Sequence, residues 1–274
     1  MRILSWNMAY WKPGQFNTVV NRRRQWALIG ALRPDIALLQ ECRPPDIVDN
    51  GPGWMGEEYE IIGAIPHRWT ACSAVLARRS LGPVALDRTA LPVEERRWLE
   101  YLAGYVSTAW VTFEDRQIAV ASVHAVAREV DDAAVTATDH GRIRRQALNR
   151  GWHNDLVVAA LTPWVSDHRF IVGGDWNNAV LFDTIYPSGA EGGPGASTEF
   201  FASRATSGWH HALRKFHPDE LRTYLDPGSA AYELDHIFTD ADLHARLHTC
   251  EVFDERALAE LSDHAPLIAE FITT

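Results

Sequence analysis

Gly173-Gly174-Asp175-Trp176-Asn177 closes the apolar run Phe170-Ile171-Val172, and the chain is organised around this stretch. A β-branched and aromatic run that ends on two glycines reads as a buried strand that stops abruptly. Glycine lets the backbone turn there and lets a bulky group come close. In an extended chain Asp175 and Asn177 point the same way, because side chains alternate. An acid and an amide side by side at a strand end suit a metal-bound water or a phosphate oxygen. An Asx turn that merely caps the strand uses the same residue types. The other strands decide between the two.

Working outward, Arg2-Ile3-Leu4-Ser5-Trp6-Asn7 alternates polar and apolar as a strand should, and Asp35-Ile36-Ala37-Leu38-Leu39-Gln40-Glu41 reads as a second, buried one. Between them Asn17 is placed to cap a helix running to about Leu32, with Val20, Ala27, Leu28, Ala31 and Leu32 on one face. Further strands are expected at 59–63, 73–78, 105–113 and 117–124, with a polar looped insertion near 87–103. A long helical pattern covers about 139–162, where Leu148, Trp152, Leu156 and Ala159 or Ala160 fall at fourfold spacing. Residues 183–198 are rich in glycine, proline and serine and read as a surface loop. Leu234–Phe238 and Pro266–Phe271 supply closing strands. Strands in both halves separated by a few helices imply a two-sheet sandwich with helices outside, as one domain over 1–274.

The bulk numbers agree with an ordinary globular enzyme. The 274 residues are 46% hydrophobic and 23% charged, with ample volume for a core. The formal net charge of −10 argues against a protein that coats nucleic acid by bulk electrostatics. A nucleic-acid enzyme stays open, because a local basic strip and bound cations offset that charge. Candidate strips are Arg22 to Arg24 and Arg142, Arg144 and Arg145, each of which also suits a solvated helix face. Cys42, Cys72 and Cys250 are odd in number and widely spaced, with neither a zinc pattern nor a disulfide framework. With no leader-like run ahead of the first strand and no apolar run long enough to span a bilayer, a cytoplasmic chain is expected.

Reading strand ends rather than strands collects one set of polar residues. Asn7 ends the first strand, Glu41 the second and His124 the strand at 117–124. Asp175 and Asn177 follow the central strand, Asp235 lies in a late strand, and Asp263-His264 precedes the last. Oxygen-rich residues at the same end of several strands make a site on top of a rigid scaffold. Phosphoester hydrolysis needs charge stabilised on non-bridging and leaving oxygens while water attacks in line. Magnesium or manganese does this, and both prefer carboxylate and amide oxygens to thiolate. Histidines beside the phosphate serve as base, acid or cationic contact.

Trp6-Asn7, Leu39-Gln40-Glu41, Ser122-Val123-His124-Ala125, Gly174-Asp175-Trp176-Asn177, Leu234-Asp235-His236-Ile237 and Ser262-Asp263-His264-Ala265-Pro266 resemble, in order, the motifs of the endonuclease/exonuclease/phosphatase (DNase I-like) superfamily. Each motif is weak alone; six in order across residues 6 to 266 are specific. The resemblance implies a four-layer α/β sandwich and divalent-metal-dependent phosphoester cleavage, with Mg2+ or Mn2+ as cofactor. By the same resemblance Glu41 is the principal metal ligand, with Asn7 beside it and Asp263 completing the metal side. Asp175 and Asn177 match the pair that orients the attacking water and scissile phosphate. His264 matches the histidine that contacts the phosphate, and Asp235 the acid bonded to it. His124 matches a histidine of the DNase I, deadenylase, sphingomyelinase and inositol-phosphatase branches.

The substrate is less determined. Abasic-site endonucleases of this superfamily usually carry Gly-Leu-Arg-like residues after the first asparagine and a lysine soon after the glutamate. This chain has Asn7-Met8-Ala9-Tyr10-Trp11 and Glu41-Cys42-Arg43-Pro44 instead, and His124 where those enzymes have a tyrosine-containing motif. It leans towards the histidine-containing branches. Tyr10, Trp11 and Tyr224, with Arg142 and Arg145, are the candidate substrate contacts, since aromatics near a phosphate site stack on bases. Trp176 follows the alternating pattern inward. His210-His211 and His217 match no metal spacing and read as surface or supporting groups. The readings are a nuclease, a phosphatase or phosphodiesterase on a small molecule or lipid head group, and a binding module with a retired site.

Overall fold

A computed structural model describes residues 1–10, 16–43, 53–63, 72–130, 152–186, 195–253 and 258–272. These form two six-stranded sheets. In the first the order is β11-β12-β1-β2-β4-β3, from β1 (Arg2–Asn7), β2 (Ile36–Cys42), β3 (Tyr59–Ile62), β4 (Cys72–Arg78), β11 (Leu247–Val252) and β12 (Leu267–Phe271). In the second it is β5-β6-β7-β8-β10-β9, from β5 (Val84–Ala85), β6 (Val106–Phe113), β7 (Arg116–His124), β8 (Arg169–Asp175), β9 (His210–His211) and β10 (Asp235–Thr239).

Each sheet is antiparallel except for one central pair, β1 with β2 and β7 with β8. A parallel pair needs a crossover, and helices Val19–Leu32 and His153–Val165 lie in those two connections. Parallel strands end at the same edge, so Asn7 comes beside Gln40 in one sheet and His124 beside Asp175 in the other.

Strand alternation then builds four layers. Ile3, Ile36, Leu38, Ile118, Val120 and Ile171 face inward and fill the space between the sheets. Their neighbours Leu4, Trp6, Ala37 and Leu39 face out onto Trp26 and Ile29. Ala119, Ala121, Phe170 and Val172 face out onto Leu156, Val157 and Leu161. Burial on both faces explains why these strands read as near-continuous apolar runs. Each buried Val, Leu, Ile or Phe among them contributes about 1.5–3 kcal/mol of burial.

The first helix differs instructively from its sequence pattern. Thr18, not Asn17, accepts the capping bond, from Asn21 N. Val20 is 68% exposed, and the buried residues are Asn21, Gln25, Trp26 and Ile29. Two amides occupy the buried face because they serve loop carbonyls: Gln25 donates to Met8 O at 2.7 Å and to Leu261 O at 2.8 Å, and Asn21 to Leu261 O at 2.9 Å. The helix thereby ties the loop after Asn7 to the loop before Asp263. The stretch 87–103 is not a loop throughout: helix Val93–Tyr101 buries Trp98 and Leu99 beneath a polar outer face. Around 183–198, helices Leu181–Ile185 and Ala196–Thr206 occupy the described residues. Strand β11, whose burial alternates weakly, has no counterpart in the sequence reading. The helical pattern before residue 152 lies outside the described residues. Among those residues, no helix is long and apolar enough to cross a membrane.

Candidate active site

Past the end of the inter-sheet core, the inward positions of four strands turn polar. On β1 the inward series Ile3, Ser5 ends at Asn7; on β7 it ends at Ser122 and His124; on β8 at Gly173 and Asp175. On β10 it begins at Asp235, whose register partner is Asp175. Gln40, inward on β2, donates to Ser122 Oγ at 2.9 Å and closes the gap between the sheets below the site.

Glu41 does not follow alternation, which would send it outward with Leu39. Its φ of 45° is left-handed, and the β2–β4 register shifts between Leu39 and Cys42. This bulge re-aims the carboxylate, as bulges at strand ends do. Asn177 likewise meets Asp175 through a left-handed turn, with φ 45°, rather than through strand alternation. Gly174 is required: a Cβ there would lie 1.8 Å from Val123 O. The outward residue, Trp176, is fully buried among Phe200, Trp209 and Phe238.

Asp175 is the centre of the set. Its Oδ2 accepts from Asn7 Nδ2 at 2.9 Å and from Asn177 Nδ2 at 3.0 Å, and its Oδ1 from Asn177 N at 2.8 Å. His124 Nε2 lies 3.7 Å and His264 Nε2 3.9 Å from the same Oδ2. Glu41 Oε1 stands 3.5 Å from His124 Nε2 and accepts from Asn7 Nδ2 at 3.1 Å. The Asn7 amide oxygen is turned away, towards Ala9 N at 2.9 Å. Asn7 therefore holds two carboxylates together through its nitrogen.

His264 is fixed from both sides. Its Nδ1 bonds Asp235 Oδ2 at 2.8 Å, and its backbone N donates to Ser262 Oγ at 3.1 Å. Ser262 in turn donates to Asn7 O at 2.7 Å, and Thr223 Oγ1 receives the Asp235 N–H at 3.1 Å. The Tyr224 ring stands 5.1 Å from the His264 ring. Tyr105 lies between His124 and His153, at 6.0 and 5.2 Å. Ser262 opens one of the six motifs, whereas Thr223 and Tyr105 carry no sequence signal of their own, since each acts through a neighbour distant in the chain.

Burial sets the electrostatics. It pushes the Asp175 carboxyl up to about 6, opposed by the His264 and His124 charges and reinforced by Asp235. Burial alone would lower His264, but the charges of Asp235, Asp175 and Asp263 and the Asp235 hydrogen bond outweigh it, lifting the ring to about 10. Between these values the site holds a buried carboxylate beside an imidazolium.

Two groups of donor atoms lie within 4.8 Å of one another here: Glu41, His124 and Asp175, and Asp175, Asp235 and His264. Asp263, 7% exposed, flanks the second group without joining either. Asp235 Oδ1 is buried with no hydrogen-bond partner among the described residues. The carboxylates of Glu41, Asp175 and Asp235, without thiolate, fit a hard divalent cation.

Of the proposed substrate contacts, Tyr10 receives an Arg43 Nη1 hydrogen bond at 3.0 Å, and Tyr224 lies against His264. Trp11, Arg142, Arg144 and Arg145 lie outside the described residues. Arg22 is engaged by Asn17 at 2.6 Å and lines a small pocket together with Tyr10 and Glu41, and Arg24 is engaged by Glu260 at 3.2 Å.

By structure the chain is similar to an AP endonuclease from Leishmania major, at 15% identity and TM-score 0.65, over 100% of this chain and 88% of that one. It is similar to a 3'-5' exonuclease from Neisseria meningitidis, at 20% identity and TM-score 0.65, over the whole of both chains. It is also similar to a Neisseria 3' phosphatase bound to product DNA hairpin, at 19% identity and TM-score 0.64, again over both chains. The chain has the DNase I-like fold. No protein-family model and no curated protein sequence matches it. The DNase I-like fold here keeps its polar residues at the shared edge of its two sheets, where the two parallel pairs end.

Proposed function

We propose that the protein is a divalent-metal-dependent phosphoesterase that cleaves phosphodiester bonds by in-line attack of water, acting as a nuclease. The observation that carries this reading is the convergence on Asp175 Oδ2 of two amides and two imidazoles, with the Glu41 carboxylate alongside. Glu41, braced by the Asn7 amide nitrogen and with Asp263 flanking the site, would hold Mg2+ or Mn2+, which would supply charge stabilisation on the phosphoryl and leaving oxygens.

In this reading Asp175, with its carboxyl near neutrality, takes the proton of the attacking water, and the Asn177 amide orients both. His264, protonated across the working pH range, holds a non-bridging oxygen. Asp235 keeps that ring charged and in one orientation, with Nδ1–H committed to the carboxylate and Nε2–H turned to the site. His124 sits between Glu41 and Asp175 and contacts the opposite side of the phosphate.

A polynucleotide substrate is favoured by Tyr10 and Tyr224, aromatic groups beside Glu41 and His264, and by the nucleases and the DNA-bound phosphatase that share the fold. A second reading, a small-molecule or lipid-head-group phosphoester, is favoured by the net charge of −10 and by the engagement of Arg22 and Arg24 within the protein. Three free, buried cysteines suit a reducing compartment, and we assign the chain to the cytoplasm.

The test is hydrolysis across single- and double-stranded DNA, RNA, an abasic-site duplex, bis-p-nitrophenyl phosphate and an inositol phosphate, with magnesium, manganese or excess chelator. Metal-dependent cleavage of a polynucleotide supports the nuclease reading. Turnover confined to small phosphoesters selects the second. Full activity in excess chelator refutes the metal role.

A further inference from the structure

Asp235 and His236 are consecutive in β10, so their side chains leave on opposite faces. Asp235 faces the candidate active site. His236 faces outward to a cavity of about 610 Å³ whose lining includes Trp209, His211, Arg214, Glu233 and Phe238. Three donor atoms converge on its wall. His211 Nε2 and His236 Nδ1 are 2.8 Å apart. Glu233 Oε1 lies 3.3 Å from His236 Nδ1 and 3.7 Å from His211 Nε2. Neighbouring ligands of a tetrahedral ion bound at roughly 2.0–2.1 Å are about 3.3 Å apart, and the three separations straddle that value.

We infer that His211, Glu233 and His236 form a binding site for a borderline transition-metal dication, zinc foremost, separate from the catalytic centre and facing the cavity with its fourth position. Two imidazoles and one carboxylate select such an ion over magnesium or calcium.

The supporting groups are of the kind that orient metal ligands. His236 Nε2 bonds Asn178 O at 2.7 Å, which leaves the Nδ1 lone pair for the ion. Glu233 is fully buried; its Oε2 accepts Leu221 N at 2.5 Å, and Arg214 Nη2 donates to both carboxylate oxygens, so an ion would take the second lone pair of Oε1 beside that guanidinium. Without metal, Arg214 N donates to His211 Nδ1 at 3.3 Å, so the His211 proton sits on Nε2 and bonds His236. Binding moves that proton to Nδ1 and gives up this long bond, with no net loss of protons from either ring. A side chain 11% exposed lets solvent carry the exchange.

The placement has a consequence for the fold. Strand β9 is two residues long and meets β10 through Phe238↔His211 and Thr239↔His210. An ion shared by His211 and His236 pins this edge, and through Asn178 O it steadies the turn that carries Asn177.

The test is titration of chelator-stripped full-length protein with Co2+, read by its visible d–d absorption, followed by displacement with Zn2+ and a thermal melt. Intense bands of a four-coordinate nitrogen/oxygen site are expected, with a rise in melting temperature on adding Zn2+. His211→Gln, at the partly exposed edge, should fold and should weaken Co2+ binding about tenfold or more. His236→Gln should behave alike, while Glu41→Gln should leave the bands intact. Absent bands, bands unchanged in folded His211→Gln, or bands lost in Glu41→Gln would each overturn the assignment.

Discussion

Asp235→Asn isolates the charge behind His264. The substitution keeps the shape of the side chain and leaves the Thr223 bond to the backbone of residue 235 in place. It removes the charge that does most to hold the ring protonated, 2.8 Å from Nδ1 in a buried setting. Burial, which lowers the ring, is then offset only by the remaining charges of Asp175 and Asp263, and the imidazole should titrate near its ordinary range. With a value of about 7 in place of about 10, roughly 3% of the rings stay protonated at pH 8.5, a loss of about 30-fold, against less than about twofold at pH 6.5. The assay is kcat/KM in magnesium from pH 5 to 10.5 on the best substrate of the panel, with circular dichroism to check the fold. Wild type should rise through about pH 6 as Asp175 ionises and fall only near pH 10. The variant should lose its plateau from about pH 7 upward. An equal loss at every pH, or an unmoved alkaline limb, would refute the role given to Asp235.

Asp175→Asn should reduce kcat by about 10³-fold or more while stabilising the metal-free fold, because the native carboxyl is raised by burial. The sign follows from linkage: a raised acid contributes stability below its unfolded value of 3.8, and that contribution is lost as pH rises through about 6. Urea midpoints in chelator should therefore show a gain of about 1–2 kcal/mol at pH 8 that vanishes near pH 4; a destabilised variant at pH 8 would contradict this. Glu41→Gln should raise the magnesium concentration for half-maximal activity about tenfold or more and leave the melting temperature in chelator nearly unchanged; an unaltered magnesium dependence would remove Glu41 from the metal site. Gly174→Ala drives a Cβ into Val123 O at 1.8 Å and should cost on the order of 3 kcal/mol or prevent folding. Near-native stability by denaturant titration would show that β7 and β8 separate there without cost.

Much of this protein is written locally. Alternation marks β1, and burial on both faces makes β2, β7 and β8 apolar enough to recognise as runs. The polar residues at their ends stand out because an Asn, Glu, His or Asp interrupts such a run, so Asn7, Glu41, His124 and Asp175 could be collected before any coordinates. What the chain alone does not encode is how groups far apart in sequence satisfy one another. Asn21 and Gln25 are not among the apolar residues that mark a face of the first helix, yet they are buried because loop carbonyls 5 to 240 residues away need donors. Glu41 reaches the site only because a left-handed bulge breaks the alternation that identifies its strand. Helix Val93–Tyr101 reads as a polar loop because its few buried residues, Trp98 and Leu99 among them, find their partners on helix His153–Val165 and the second sheet. His211, Glu233 and His236 share no motif spacing, and only the pairing of β9 with β10 brings them together. Propensity and periodicity are properties of neighbours along the chain, whereas a site is a property of neighbours in space, and only tertiary packing converts the one into the other.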